Sequence, residues 1–113
     1  MLLHIDINNC VFNRFTLNVN YLYLQIAFSE LHPLMVFYLA KSLEQPGSRK
    51  VSRLINEINL NSVLGSHAVN AEAGCYSYRT AHWLDTELTR YRFFEMLERS
   101  AYEAGWAYSQ LIG

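Results

Sequence analysis

The second half of the chain holds a short helix pattern, a turn-rich hairpin and a longer helix pattern, and this order constrains the fold more than any other feature. Between Val51 and Ile58, apolar residues recur at the i, i+3, i+4, i+7 spacing of one helix face, and Ser48 is placed to be the N-cap. Gly65 is expected to end this helix in the left-handed conformation that glycine adopts readily. Because an apolar helix face has to be covered, we expect the helices to lie on a sheet.

Two short strand patterns follow the first helix. Residues 67–70 and 75–83 are joined by the loop 71–74, whose glycine is typical of a hairpin loop of about four residues. An antiparallel hairpin between the two helices is therefore predicted.

The final helix is predicted over residues 87–111, with Asp85 or Thr86 as its N-cap. Its main apolar stripe at helical spacing consists of Phe94, Leu97, Ala101, Ala104 and Tyr108. Glu95 and Arg99 are spaced for an i, i+4 ion pair.

The first half of the chain is predicted to form strands. Residues 3–7 alternate apolar and polar side chains, and residues 15–28 form a longer run whose polar side becomes apolar after Asn20. A helix over about 21–31 is the alternative for part of this run, and the strand is preferred. Residues 34–40 are apolar on both faces, which indicates a central strand that is covered on both sides.

Together these patterns predict a single α+β domain over residues 1–113, a two-layer sandwich in which two helices cover an antiparallel sheet of about five strands. Of the 113 residues, 51% are hydrophobic and 17% are charged, which suits one core and argues against disorder. The net charge of −1 argues against nucleic acid as a partner. The apolar run at 34–40 is too short for a membrane helix, so no membrane association is expected.

The sequence offers little reaction chemistry. Cys10 and Cys75 are expected to be reduced thiols in a cytoplasmic protein, since no secretory leader precedes the domain, with one disulfide as the alternative. No Cys or His pair has the short spacing of a zinc site. Cys75 and His82 are an odd number of residues apart on one strand, so they lie on opposite faces and cannot form a nucleophile–base pair. We therefore predict no catalytic residue, no metal and no cofactor.

Three asparagines, Asn56, Asn59 and Asn61, mark the end of the first helix. One interpretation is a polar edge that binds a ligand. The preferred interpretation is that they terminate the helix and satisfy the backbone of the adjacent loop.

The apolar strand at 35–43 is followed by the helix with its spaced asparagines, by Leu64-Gly65, by the strand Cys75-Tyr-Ser-Tyr-Arg79 and by the closing helix. Over about residues 34–108 this order resembles the YbjN-like family of bacterial proteins, described as sensory transduction regulators with a fold similar to that of type III secretion chaperones. The resemblance implies a protein that binds segments of other proteins, commonly as a dimer. Family members normally begin with a helix, whereas the first residues here have a strand pattern.

Aromatic residues are concentrated in the last strand and the last helix. Tyrosine and tryptophan are favoured where one end of a side chain is dry and the other is wet, as at interfaces. The candidate anchors for a protein partner or for dimer contacts are Tyr76, Tyr78, Tyr91, Tyr102 and Trp106. A core face with tyrosine hydroxyls at the surface is the alternative.

The sequence thus predicts a small non-catalytic protein-binding module, chaperone-like or regulatory, that acts through an apolar aromatic surface and forms a homodimer. The partner segment is expected along a sheet edge or in an apolar groove. Two alternatives are a small enzyme that uses His82 or Cys75 in a pocket, and a mobile-element inhibitor that blocks a host complex.

Overall fold

The fold is that of a computed structural model, which describes residues 14–19, 22–29, 31–84 and 88–113. In chain order the elements are β1 (Arg14–Val19), β2 (Leu22–Phe28), β3 (Leu34–Ser42), α1 (Arg49–Asn61), β4 (Ser66–Asn70), β5 (Cys75–Trp83) and α2 (Arg90–Ile112). The strands form one sheet in the order β1-β2-β3-β5-β4, antiparallel at every pairing. The predicted α+β class, with two helices and an antiparallel sheet, is confirmed.

The prediction of one strand over residues 15–28 is wrong, because this run is two strands. β1 ends at Val19 and β2 begins at Leu22, and these two residues are paired across the strands. The chain reversal explains the change of polarity after Asn20, since a reversal exchanges which alternate positions share a face. The strand predicted at residues 3–7 lies outside the described residues.

One face of the sheet is covered by the helices. Two rows of paired residues cross this face and all are buried: Ile26, Phe37 and Thr80 in one row, and Leu24, Leu39 and Tyr78 in the other. Onto these rows the helices pack Val51 and Ile58 from α1 and Leu97, Ala101, Ala104, Ala107 and Leu111 from α2. The alanines have small side chains, which allow α2 to lie close to the sheet.

The other face of the sheet is not covered by any of the described residues. Tyr38 on β3 is 38% exposed, although its neighbours Phe37 and Leu39 are fully buried. The prediction that β3 is a central strand covered on both faces is therefore confirmed only in part. β3 is the central strand of the order, but within the described ranges only one of its faces is covered.

Helix α1 begins as predicted and ends differently. The Ser48 side chain caps it by accepting a hydrogen bond from the backbone N–H of Val51 at 3.1 Å. The helix ends at Asn61, with Ser62 as an extended C-cap residue, and Gly65 is not in the left-handed region.

Helix α2 begins later than predicted. Its N-cap is Thr89, whose hydroxyl accepts a first-turn backbone N–H at 3.1 Å, while the predicted caps Asp85 and Thr86 lie outside the described residues. Glu95 and Arg99 form the predicted pair at 3.4 Å on an exposed side, where such pairs contribute little stability. Within the part of the chain that is described, no helix is long and apolar enough to cross a membrane.

The β4–β5 hairpin forms as predicted. Asn70 pairs with Cys75, and Gly74 adopts a φ of 63°, the left-handed conformation that glycine tolerates without strain. The Asn70 side chain accepts the backbone N–H of Ala73 at 3.0 Å, which closes the turn.

Candidate functional site

The five predicted anchor residues divide into two groups. Tyr76 and Tyr78 are fully buried, because alternate positions of β5 face the helices, and the structure corrects their assignment from surface anchors to core residues. Tyr91, Tyr102 and Trp106 are exposed by 79%, 77% and 50%. Only the three helix residues are accessible to a partner, and their role as anchors stays a prediction.

The three exposed aromatic residues follow one side of α2. Tyr91 and Tyr102 are separated by about three helical turns, and Trp106 follows about one turn later. Glu95 and Glu98 lie along the same side between the two tyrosines. This side of α2 is therefore aromatic and acidic together.

Trp106 also borders a pocket between α2 and the loop that joins α1 to β4. The pocket has a volume of about 330 Å³ and is lined by Ile58, Asn61, Ser62, Val63, Leu64, His67, Glu103 and Trp106. We call it the Trp106 pocket. Val63 and Leu64 are 93% and 54% exposed. The sequence analysis did not select either residue. The signal that could have identified them is the presence of two large apolar side chains in the loop after α1, where the apolar face of that helix has already ended.

The inner side of the Trp106 pocket is a hydrogen-bonded cluster centred on His67, which is 5% exposed. Its Nδ1 contacts the Tyr76 hydroxyl at 2.8 Å, and its Nε2 lies 3.2 Å from Ser62 Oγ and 3.5 Å from Glu103 Oε1. Ser62 Oγ is also 2.5 Å from Glu103 Oε1 and 2.7 Å from the carbonyl oxygen of Gly65. The single hydroxyl proton of Ser62 is thus shared between two acceptors, the Glu103 carboxylate and the Gly65 carbonyl. We call Ser62, His67, Tyr76 and Glu103 the His67 cluster.

Asn59 positions the backbone of His67. Its amide nitrogen donates to the His67 carbonyl at 2.8 Å, and its amide oxygen accepts the His67 backbone N–H at 2.8 Å. Asn61 donates to the Glu57 carbonyl one turn earlier at 2.9 Å. Both asparagines thus bind backbone groups, as expected of the preferred interpretation, but these groups belong to β4 and to α1 itself and not to the adjacent loop.

Burial determines the charges in the His67 cluster. It lowers the pKa of His67 despite the opposing effect of the Glu103 carboxylate, so the ring is neutral at neutral pH. Burial likewise raises the pKa of Tyr76 and of Tyr78, and the charge of Glu103 raises both further. The His67–Glu103 contact is therefore between a neutral ring and a carboxylate whose side chain is 20% exposed.

Ser62, His67 and Glu103 do not have the arrangement of a nucleophilic triad. In such a triad the acid holds the ring nitrogen that is remote from the nucleophile. Here Ser62 and Glu103 both approach Nε2, and Tyr76 occupies Nδ1. The His67 cluster holds the Glu103 carboxylate in place beside the Trp106 pocket.

The other nucleophile candidates lie apart. Cys75 is a free, partly buried thiol, and His82 is on the opposite face of β5, where its Nε2 contacts Thr80 Oγ1 at 3.0 Å. Among the described residues, no three His, Cys, Asp or Glu side chains are grouped as metal ligands would be. His4 and Cys10 lie outside those residues.

The face of the sheet that is uncovered within the described part of the chain is a second apolar surface. We call it the open sheet face, and its members are Tyr23, Val36, Tyr38, Ala81 and Trp83. Trp83 is 59% exposed and Tyr23 is 49% exposed. Arg79 donates from Nε to the Tyr38 hydroxyl at 3.2 Å, which orients that ring on the surface.

The comparisons with known proteins agree with the architecture. No family model matches the chain, and no curated protein matches it. Among solved structures, a chain of the HopA1–SchA chaperone–effector complex is similar, with a TM-score of 0.62 and 8% sequence identity over 89% of this chain and 77% of that chain. At this identity the likeness shows the fold alone. The chain therefore has a fold that occurs in a chaperone–effector complex, in agreement with the expected chaperone-like fold.

Proposed function

We propose that this protein is a chaperone-like module that binds a segment of another protein at the Trp106 pocket. The observation that carries the proposal is the exposure of Val63, Leu64 and Trp106 around one concave site. Large apolar side chains grouped at a cavity mark binding sites, because burial by a ligand removes their apolar surface from water.

Two further observations support the proposal. The fold is shared with a chain of a chaperone–effector complex, in which one protein binds another. The pattern over about residues 34–108 resembles the YbjN-like family, and membership of that family is part of the proposal.

We also propose that the protein is not an enzyme. The arrangement of Ser62, His67 and Glu103 supports this, because it holds the carboxylate on the nucleophile side of the ring. The separation of Cys75 from His82 on opposite faces of β5 supports it as well. No observation favours a small enzyme or an inhibitor of a host complex over the binding role.

Homodimerisation through the open sheet face and a cytoplasmic location complete the proposal. The exposed apolar residues of that face support the dimer, since a covered second face would bury Val36 and Trp83. The cytoplasmic location follows from the expectation that Cys10 and Cys75 are reduced thiols.

The binding role is tested with a phage-displayed library of short random peptides selected against the immobilised protein. We expect enrichment of peptides with apolar residues, because their side chains can cover Val63, Leu64 and Trp106. The matched control is the double variant Val63→Ser, Leu64→Ser, which removes exposed apolar groups that contribute little to the core. Equal enrichment on the wild type and on this variant, or no enrichment at all, contradicts the proposed site.

A further inference from the structure

The Trp106 pocket is small enough to select one side chain. Its volume of about 330 Å³ is at the lower limit of ligand cavities, which begin near 300 Å³. Its lining combines the apolar side chains of Ile58, Val63, Leu64 and Trp106 with four polar ones, Asn61, Ser62, His67 and Glu103. A side chain that enters this pocket can therefore make apolar and polar contacts together.

The charge of this pocket is negative. Among its lining residues, all of them described, Glu103 carries the charge, and none is a lysine or an arginine. Asn61 and Ser62 are neutral, and burial keeps His67 in its neutral form. Arg99, one turn before Glu103 on α2, is paired with Glu95 at 3.4 Å on the exposed side. The lining of the pocket thus presents one carboxylate and no cationic lysine or arginine.

The carboxylate of Glu103 is held in a fixed orientation. Ser62 Oγ at 2.5 Å and His67 Nε2 at 3.5 Å both contact its Oε1, and the Asn59 hydrogen bonds fix the backbone of His67. A group that is only 20% exposed is poorly hydrated, so a cation that reaches it loses less to competition with water than at an open surface. The site is preorganised for a cation.

The walls restrict the kind of cation. Trp106 is the aromatic side chain that attracts cations most strongly over its face. A long side chain with an aliphatic stem can place its methylene groups against Val63 and Leu64 while its charged head meets Glu103. An acidic group would be repelled, and a purely apolar group would desolvate the carboxylate without replacing its hydrogen bonds.

We propose that the Trp106 pocket binds one basic side chain of the partner segment, arginine in preference to lysine, with Glu103 as its ion-pair partner and Trp106 as its aromatic wall. This proposal rests on the proposed function and adds the chemistry of the recognised segment. Arginine is preferred because its planar head can both bind a carboxylate with two hydrogen bonds and stack on an aromatic ring. The segment therefore carries an arginine next to apolar residues that cover Val63 and Leu64.

The test uses two tripeptide probes, acetyl-leucyl-arginyl-leucine amide and the same peptide with citrulline, the neutral isostere of arginine. Each is titrated to about 10 mM, which detects dissociation constants of that order, while the protein amide and Trp106 indole signals are followed by NMR. We expect the arginine probe to bind at least about tenfold more tightly than the citrulline probe, a difference of about 1.4 kcal/mol. Shifts should be concentrated at Val63, Leu64 and Trp106.

Two variants decide the role of the carboxylate. Glu103→Gln keeps the size and an acceptor for Ser62, and it should abolish the preference for arginine over citrulline. Glu98→Gln, at an exposed position on the same helix, is the matched control and should keep the preference. If Glu103→Gln does not fold, Trp106→Leu replaces it and should weaken arginine binding while leaving citrulline binding nearly unchanged.

The outcomes separate this inference from the proposed function. Three results overturn the inference: equal binding of the two probes, no binding of either probe, or an arginine preference that survives Glu103→Gln. If one of them is found and the peptide library still enriches apolar sequences without arginine, the proposed function stands. An arginine preference at the pocket without enrichment of any library peptide would uphold the basic subsite and contradict the chaperone-like role.

Discussion

At the scale of single residues, close approach explains Gly65 better than backbone conformation does. A Cβ atom at this position would lie 2.5 Å from the carbonyl oxygen of Arg79, 2.6 Å from Thr80 Cγ2 and 2.7 Å from Tyr78 Cζ. One of these atoms is backbone of the sheet and another belongs to a buried ring, so neither can move away easily. Glycine is therefore needed where the α1–β4 loop crosses against β5.

Gly65→Ala should lower the free energy of unfolding by about 1–3 kcal/mol, the usual cost of overpacking a filled interior. Urea unfolding followed by circular dichroism measures the change. Gly105→Ala is the matched control, since a Cβ there meets nothing within 4 Å on α2, and it should raise stability by about 0.5–1 kcal/mol. A Gly65→Ala protein as stable as the wild type would show that the loop can shift, and would contradict the close-approach explanation.

At the scale of elements, the His67 cluster joins parts of the fold that are distant in sequence. Ser62 follows α1, His67 lies on β4, Tyr76 lies on β5 and Glu103 lies on α2, and hydrogen bonds of 2.5–3.2 Å connect them. Because the ring of His67 is buried, its protonation would place a second charge inside this junction. The junction is therefore expected to respond to pH.

The free energy of unfolding should fall as the pH is lowered from about 7.5 to about 5. Burial lowers the pKa of His67 and of His82 in the folded protein, so below about 6.5 the unfolded chain binds protons that the folded chain does not. The stability contributed by the neutral rings is complete above the unfolded pKa and is lost as the pH falls toward the lower folded pKa. Urea unfolding at a series of pH values measures this slope.

His67→Gln should make that slope shallower, because one of the two depressed groups is removed. His32→Gln, at an exposed position, is the matched control and should follow the wild type. If His67→Gln and the wild type lose stability in parallel between about pH 7 and pH 5, burial of the His67 ring is not the source of the slope.

At the scale of the whole molecule, the sheet has one face under the helices and one face that no described residue covers. β3 carries apolar residues on both faces, and Val36 and Tyr38 lie on the side that the helices do not cover. A second copy of the chain placed on the open sheet face would give this strand the two covered faces that its composition favours. The residues of α2 that line the Trp106 pocket would stay accessible in such a dimer.

Sedimentation equilibrium should therefore show a dimer that Ala81→Glu dissociates. Ala81 is exposed and pairs with Val36, so a carboxylate there leaves the folded chain intact but would be buried in a sheet-to-sheet contact. Tyr102→Glu, at a site 77% exposed on α2, is the control and should remain dimeric. A monomeric wild type contradicts the dimer, and dissociation by Tyr102→Glu alone would move the interface to the helix.

The elements that were predicted well are those with local signals. Three features depend on residues within about four positions of each other: the Ser48 cap, the Gly74 hairpin and the Glu95–Arg99 pair. Such features can therefore be predicted from the sequence. The β1–β2 reversal was missed because the strand patterns on either side of it are separated by two residues without glycine or proline.

The candidate site was predictable only in part, because most of its contacts join residues that are distant in the sequence. Trp106 was identified as an exposed aromatic, whereas Tyr76 and Tyr78 were misplaced because a strand with tyrosines at alternate positions does not reveal which face is covered. Glu103 and Ser62 are 41 positions apart, and no local pattern relates them. Their contact exists only because the C-terminal end of α1 lies beside the middle of α2.

The sequence by itself determined the α+β class, the order of helix, hairpin and helix, and the absence of catalytic and metal motifs, because periodicity and turn chemistry act over a few residues. The tertiary structure alone decided which tyrosines are core, why Gly65 must be glycine, and where the carboxylate of Glu103 is held. These features depend on the packing of elements against each other. Such packing brings together residues that are tens of positions apart in the sequence. It buries Tyr76 and Tyr78 in the core and leaves Trp106 exposed at the edge of the pocket.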